Sequence, residues 1–131
     1  MNAVNLKTEY LRDPMGIDVE RPRLFWNCQH GRRQTAFQVV CKDGKGKPLW
    51  DSGKREGDSM RVRYGGSPLK SRQCVLWQVR IWDEAGKAGP WSETAAFEMG
   101  LLRREDWSAR WITGDYRPRK KRRYPVDLFR R

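Results

Sequence analysis

The sequence predicts an all-β chain folded as an antiparallel sandwich. Three observations carry this: short runs that alternate apolar and polar residues, Gly- and Pro-rich punctuation every ten to fifteen residues, and no sustained helical period before residue 100. In Val75-Leu76-Trp77-Gln78-Val79-Arg80-Ile81-Trp82 one alternate set, Val75, Trp77, Val79 and Ile81, is wholly apolar, while the other mixes Leu76, Gln78, Arg80 and Trp82. A strand with one dry face reads this way. Turn residues follow over 83–90, and residues 91–97 resume an extended pattern. The most informative stretch of the chain is thus scaffold, with no reactive group.

The other elements follow in order. Residues 1–20 read as an irregular N-terminal extension, with Asp13-Pro14-Met15-Gly16 as a turn. The first strand starts after Pro22, at Arg23-Leu24-Phe25-Trp26, because proline fits only the start or edge of a strand. Residues 34–41 form the second strand, ended by the loop Asp43-Gly44-Lys45-Gly46-Lys47-Pro48. Residues 49–53 make a short third strand. A fourth, 59–64, sets Met60, Val62 and Tyr64 against Arg61 and Arg63, so one face is wet. The sequence shows no internal repeat.

Residues 101–107 predict one helical turn, and 107–112 pack back or lead onward. Beyond Tyr116 the run Arg117-Pro118-Arg119-Lys120-Lys121-Arg122-Arg123 repels itself and is predicted to be disordered unless a partner covers it. The chain therefore divides into an extension (1–20), a sandwich (21–100), a connecting segment packing on it (101–115) and a basic linker with a further strand (116–131).

A chain of 131 residues suffices for one domain and one core. Seven Trp and four Phe exclude a disordered chain. The net charge of +12 invites a nucleic-acid reading, but its distribution weakens it: eight basic residues and one Asp fall in 117–131, a net +7, which leaves +5 for residues 1–116. No aromatic stacking motif interleaves with the basic run, so specific nucleic-acid binding is not expected.

Cys28, Cys41 and Cys74 lie too far apart for a CxxC motif, and Cys41 shares a strand face with Phe37 and Val39, so structural thiols are predicted, with no metal and no cofactor. The N-terminal residues lack the apolar stretch of a signal peptide, and no segment approaches the ~18 apolar residues of a membrane span, so a cytoplasmic protein without membrane partners is expected.

The ordered set of landmarks resembles the N-terminal domain of bacterial α-L-rhamnosidases of glycoside hydrolase family 78. It comprises Tyr10-Leu11 with Pro14-Met15-Gly16-Ile17-Asp18, Pro22-Arg23-Leu24-Phe25-Trp26, Gln34-Thr35-Ala36-Phe37-Gln38-Val39 and Leu49-Trp50-Asp51-Ser52-Gly53-Lys54. It continues through Pro68-Leu69-Lys70-Ser71-Arg72, Trp77-Gln78-Val79-Arg80-Ile81-Trp82-Asp83, Trp91-Ser92-Glu93, Phe97-Glu98-Met99-Gly100-Leu101-Leu102 and Asp106-Trp107-Ser108-Ala109-Arg110-Trp111-Ile112. The resemblance implies a fibronectin III or immunoglobulin-like sandwich that precedes further sandwiches and a catalytic (α/α)₆ barrel. It also makes residues 124–131 similar to the opening strand of a next domain. Removal of terminal α-L-rhamnose with inversion would belong to that barrel, whose two carboxyls need ~6.5–9.5 Å of separation. No catalytic residue carries over to this chain. The expected partners are the remaining domains of the parent hydrolase.

His30, the one histidine, sits in a loop-like stretch and offers no triad. Asp51, Glu56, Asp58, Glu93 and Glu98 read as solvated strand ends rather than a glycosidase pair. Trp50, Trp82, Trp91, Trp107 and Trp111 are the candidates for contact with carbohydrate or with neighbouring domains, Trp82 and Trp50 being the better rings for a sugar. The favoured function is a non-catalytic accessory domain. The alternatives are an independent carbohydrate-binding module and an adaptor whose basic tail meets an acidic partner or nucleic acid.

Overall fold

The structure, a computed structural model, describes residues 1–110 and 112. Among the described residues eight strands run in the order β1 (Asn2–Thr8), β2 (Arg23–Gln29), β3 (Ala36–Asp43), β4 (Pro48–Asp51), β5 (Arg55–Glu56), β6 (Arg61–Arg63), β7 (Cys74–Trp82) and β8 (Ala95–Glu98), followed by a 3₁₀ turn at Arg104–Asp106. One sheet is ordered β1-β2-β6 and the other β4-β3-β7-β8, with β5 also paired to β3. All strand pairings are antiparallel. Among the described residues no helix is long and apolar enough to cross a membrane.

The alternation read from the sequence places the core. Leu24 and Trp26 of β2 face Val39 and Cys41 of β3 and Val75, Trp77, Val79 and Ile81 of β7 across the sandwich, all buried in one apolar cluster. Each such side chain contributes about 1.5–3 kcal/mol through loss of water-exposed apolar area. Trp26 packs tilted on Phe37 at 5.1 Å and donates its indole N–H to Gln34 Oε1 at 2.8 Å. The Gln34 amide in turn donates to the Ser59 carbonyl, tying the two sheets at one end.

Four sequence expectations are corrected. Residues 1–20 are not an irregular lead-in: β1 pairs with β2, and Ala3, Leu6 and Thr8 are buried. Residues 14–17 clip onto the far end of β8 through Glu98 N–H to the Pro14 carbonyl and Ile17 N–H to the Glu98 carbonyl. The last strand begins only at Ala95: Pro90 has no N–H to give, and Ser92 meets Val79 N–H with its hydroxyl instead of a backbone carbonyl. In the fourth strand only Arg61–Arg63 pairs, and Met60 is exposed.

The fold also contains a structural repeat that was not expected from the sequence. Residues 36–56 and 76–96 have the same backbone arrangement at a constant offset of 40 in residue number, from Asp43 to Asp83. Asp43 accepts from Lys45 and Lys47 N–H with its carboxylate while its own N–H donates to the Lys47 carbonyl; Asp83 does the same with Ala85 and Lys87. Phe37 pairs with Arg55 as Trp77 pairs with Ala95, and Lys42 with Pro48 as Trp82 with Ala88. Since β3 and β7 are antiparallel neighbours centred on Val39 opposite Val79, the two hairpins are related by a local two-fold axis through that pair.

After β8, Leu102 packs against the core, and Ser71 Oγ accepts its N–H at 2.8 Å while donating to Asp106. The connecting segment is thereby fastened to the sandwich as far as the 3₁₀ turn. The expected basic linker and further strand, 116–131, lie outside the described residues.

Candidate functional site

Two outer faces carry aromatic side chains with cations. On the larger sheet, Arg80 lies 5.0 Å from the Trp82 ring and 4.8 Å from that of Trp91, and Lys54 sits 5.4 Å from Trp82 on the same surface. The Arg80 guanidinium is steered by Gln38 Oε1 at 3.0 Å, and Gln38 is itself held by Asp51. Trp82 is only 9% exposed and Trp91 38%. Trp50, half-buried, meets Tyr64 edge-on at 5.5 Å and is overlain by Arg55. Trp50 and Trp82 thus have their ring faces largely covered by this chain's own side chains. Trp91 and Trp107 remain open, Trp107 being 58% exposed, and Trp111 lies outside the described residues.

The other face was not singled out by the sequence reading. On the smaller sheet Tyr10 stacks on Phe25 with centroids 4.4 Å apart and planes at 29°. Arg23 approaches both rings, at 5.0 and 5.9 Å, and is anchored by the Glu9 carboxylate at 2.6 Å. That hydrogen-bonded guanidinium holds the Glu9 carboxyl below its ordinary value, against the opposing effect of burial. The signal was present: with Leu24 and Trp26 pointing inward, the ring between them must point out. Glu9 and Tyr10 are the central residues of a two-residue turn, Thr8 and Leu11 exchanging both backbone hydrogen bonds. Their φ values of 48° and 68° are left-handed, at a cost of roughly 1–2 kcal/mol per residue.

Among the described residues the remaining titratable groups stand apart from one another, save for two exposed ion pairs. His30 is exposed in the turn after β2. Asp51 caps a turn by accepting Gly53 N–H, Glu56 pairs with Lys54 and Asp58 with Arg33, all at exposed positions. All three cysteines are free; burial pushes the Cys41 thiol up to about 12, and that thiol is neutral at ordinary pH. The Tyr64 phenol, donating to the Ser67 carbonyl, is also pushed up to about 12, by burial first and by Cys41 second. No cluster of metal-ligating side chains occurs among the described residues.

The profile of the Rha78A-like N-terminal immunoglobulin domain matches residues 3–103. This chain belongs to that family. The domain is 43% identical to an α-L-rhamnosidase of Streptomyces avermitilis, over 86% of this chain and 12% of the relative, and 36% identical to one of Formosa agariphila, over 80% and 12%. Among solved structures, α-L-rhamnosidase from Dictyoglumus thermophilum superposes with a TM-score of 0.80 at 32% identity, covering 86% of this chain and 14% of that one. The Streptomyces avermitilis enzyme, solved complexed with L-rhamnose, gives 0.77 at 38% identity over 86% and 12%. The domain thus spans about an eighth of the length of the curated relatives it matches.

Proposed function

We propose that this chain is the non-catalytic, N-terminal accessory domain of an α-L-rhamnosidase, and that it acts by packing against the domains that follow and fixing their positions. The observation that carries the reading is its correspondence to 12% of rhamnosidases several times its length. Hydrolysis of terminal α-L-rhamnosides, and inversion at the anomeric carbon, are assigned to the longer protein and not to this module. Trp91 and Trp107 are the rings assigned to interdomain contact, because the sandwich leaves them exposed beside the last strand and beyond it.

Two measurements test this. The chain alone, given an aryl α-L-rhamnoside, releases no phenol; measurable turnover overturns the non-catalytic assignment. Removing the segment aligned with residues 3–103 from the Streptomyces avermitilis relative lowers its melting temperature and soluble yield. An unchanged melting curve overturns the packing role.

A further inference from the structure

The outer face of the three-stranded sheet carries a groove that an interdomain spacer does not require. In register across the sheet, Lys7, Phe25 and Arg61 form one row, the ring in the middle and a cation on each side. Tyr10 lies over Phe25, and Arg12 and Asn27 join them around an open groove of about 620 Å³. That volume falls within the ~300–1,000 Å³ of small-ligand sites. Three cations line the groove and no carboxylate does. Glu9, next in sequence to Tyr10, is turned to Arg23 instead. The turn that delivers Tyr10 is built from Glu and Tyr at two left-handed positions, where Asn-Gly is the ordinary choice, and it leaves the ring 57% exposed. Local preference is overridden here to display an aromatic side chain, a pattern typical of binding sites rather than of packing.

We propose that this groove binds an anionic saccharide, a sugar unit bearing a carboxylate or sulfate whose apolar ring face rests on the Tyr10–Phe25 pair and whose charge meets Lys7, Arg12 and Arg61. An aromatic face covers the C–H side of a pyranose, and guanidinium and ammonium groups supply charge-assisted hydrogen bonds to its anionic group. Single-stranded nucleic acid fits less well, since it is held by successive stacking platforms along a basic track and this face offers one platform. The inference is independent of the packing role proposed above, and either can fail alone.

Amide NMR titration of the chain at low salt tests it, with digalacturonate, a sulfated galactose, neutral L-rhamnose and a short uridine oligonucleotide as separate probes. Saturable shifts confined to Lys7, Tyr10, Phe25, Asn27 and Arg61 are expected with the carboxylated or the sulfated sugar, and the two arms show which group is preferred. Lys7→Gln and Arg61→Gln, changes at exposed strand positions, are each expected to weaken binding about tenfold while the spectrum stays native. Tyr10→Asn, which keeps a residue tolerant of the left-handed turn, is expected to lose binding with the fold intact. The proposal is overturned by no saturable shift up to about 10 mM, by equal shifts from neutral rhamnose, or by tighter binding of the oligonucleotide.

Discussion

Ser52 and Ser92 occupy equivalent places on the two outer edges of the β3–β7 pair. Ser52 N–H donates to the Val39 carbonyl and its Oγ accepts Val39 N–H at 2.9 Å; Ser92 does both to Val79, at 2.9 and 3.0 Å. Each hydroxyl then donates to the next carbonyl, of Gly53 or Glu93, at 2.8 Å. A side-chain oxygen thus takes the place of a strand carbonyl just where each hairpin arm bends away, so the ladder stays satisfied through the bend. Ser52→Ala or Ser92→Ala strands a valine N–H and is expected to lower stability by about 1–3 kcal/mol, more at the buried Ser92. With two strands between them the serines stand roughly 14 Å apart, so the double variant should lose the sum of the single losses. Urea unfolding of the four proteins checks this, and a large coupling would show that the hairpins are not independent.

The same symmetry predicts how glycines respond. Gly46 and Gly86 have φ of 85° and 74° in the matching loops, and an added Cβ would meet nothing within 4 Å at either. Alanine at either position therefore costs backbone strain alone, about 1 kcal/mol and nearly equal at the two. Gly66 differs: a Cβ there would overlap Tyr64 Oη and lie 2.7 Å from the Leu49 carbonyl, so Gly66→Ala should cost several-fold more. Thermal midpoints of the three variants give the ranking, and unequal losses at Gly46 and Gly86 would contradict the equivalence of the loops.

What was legible in the sequence was whatever strict alternation encodes. The inward residues of β7 and β3 sit as the pattern demands, and the sandwich follows from them. The N-terminal strand was hidden by a bulge: Asn5 has φ 53° and the register shifts between Val4 and Lys7, so buried positions fall at Ala3, Leu6 and Thr8 rather than at every second residue. The repeat was hidden because, apart from Val39 and Val79, its matched core residues differ, Phe37 against Trp77 and Cys41 against Ile81, while the shared Asp, Gly, Lys and Ser sit at turns and edges. The Tyr10–Phe25 pair was hidden because it depends on where a turn folds back, which no periodicity records.

Acid should weaken the Glu9–Arg23 junction in a defined direction. The Glu9 carboxyl titrates below its ordinary value of 4.5 because Arg23 bonds its charged form, so the folded chain binds that proton less readily than the unfolded chain. Its stabilising contribution is complete above the ordinary carboxylate value and is lost as pH falls through the depressed one. Glu9→Gln is expected to lose about 1 kcal/mol at pH 7, a figure kept small because Arg23 is partly exposed, and to draw level with the parent as pH falls through the depressed Glu9 value. Urea midpoints of both proteins from pH 7 to 3 decide it; a gap that does not close on acidification would place the effect in turn geometry instead of charge.

Trp26 and Trp77 offer the sharpest contrast in the core, because both rings are essentially buried and only one has its polar atom satisfied. Trp26 Nε1 donates to Gln34 Oε1 at 2.8 Å, whereas Trp77 Nε1 is buried with no hydrogen-bond partner. Replacing either ring by Phe removes similar volume and should leave similar cavities. Trp26→Phe in addition deprives the Gln34 oxygen of its strong donor, leaving the Cys28 thiol at 3.5 Å, and loosens the link to Ser59 that joins the sheets. Trp77→Phe instead deletes an N–H that pays a desolvation cost in the native state without return. Trp26→Phe should therefore be the more destabilising by about 1–3 kcal/mol. Equilibrium denaturation of the two variants measures the difference, and a reversed order would mean that the Trp77 indole N–H finds an acceptor in solution.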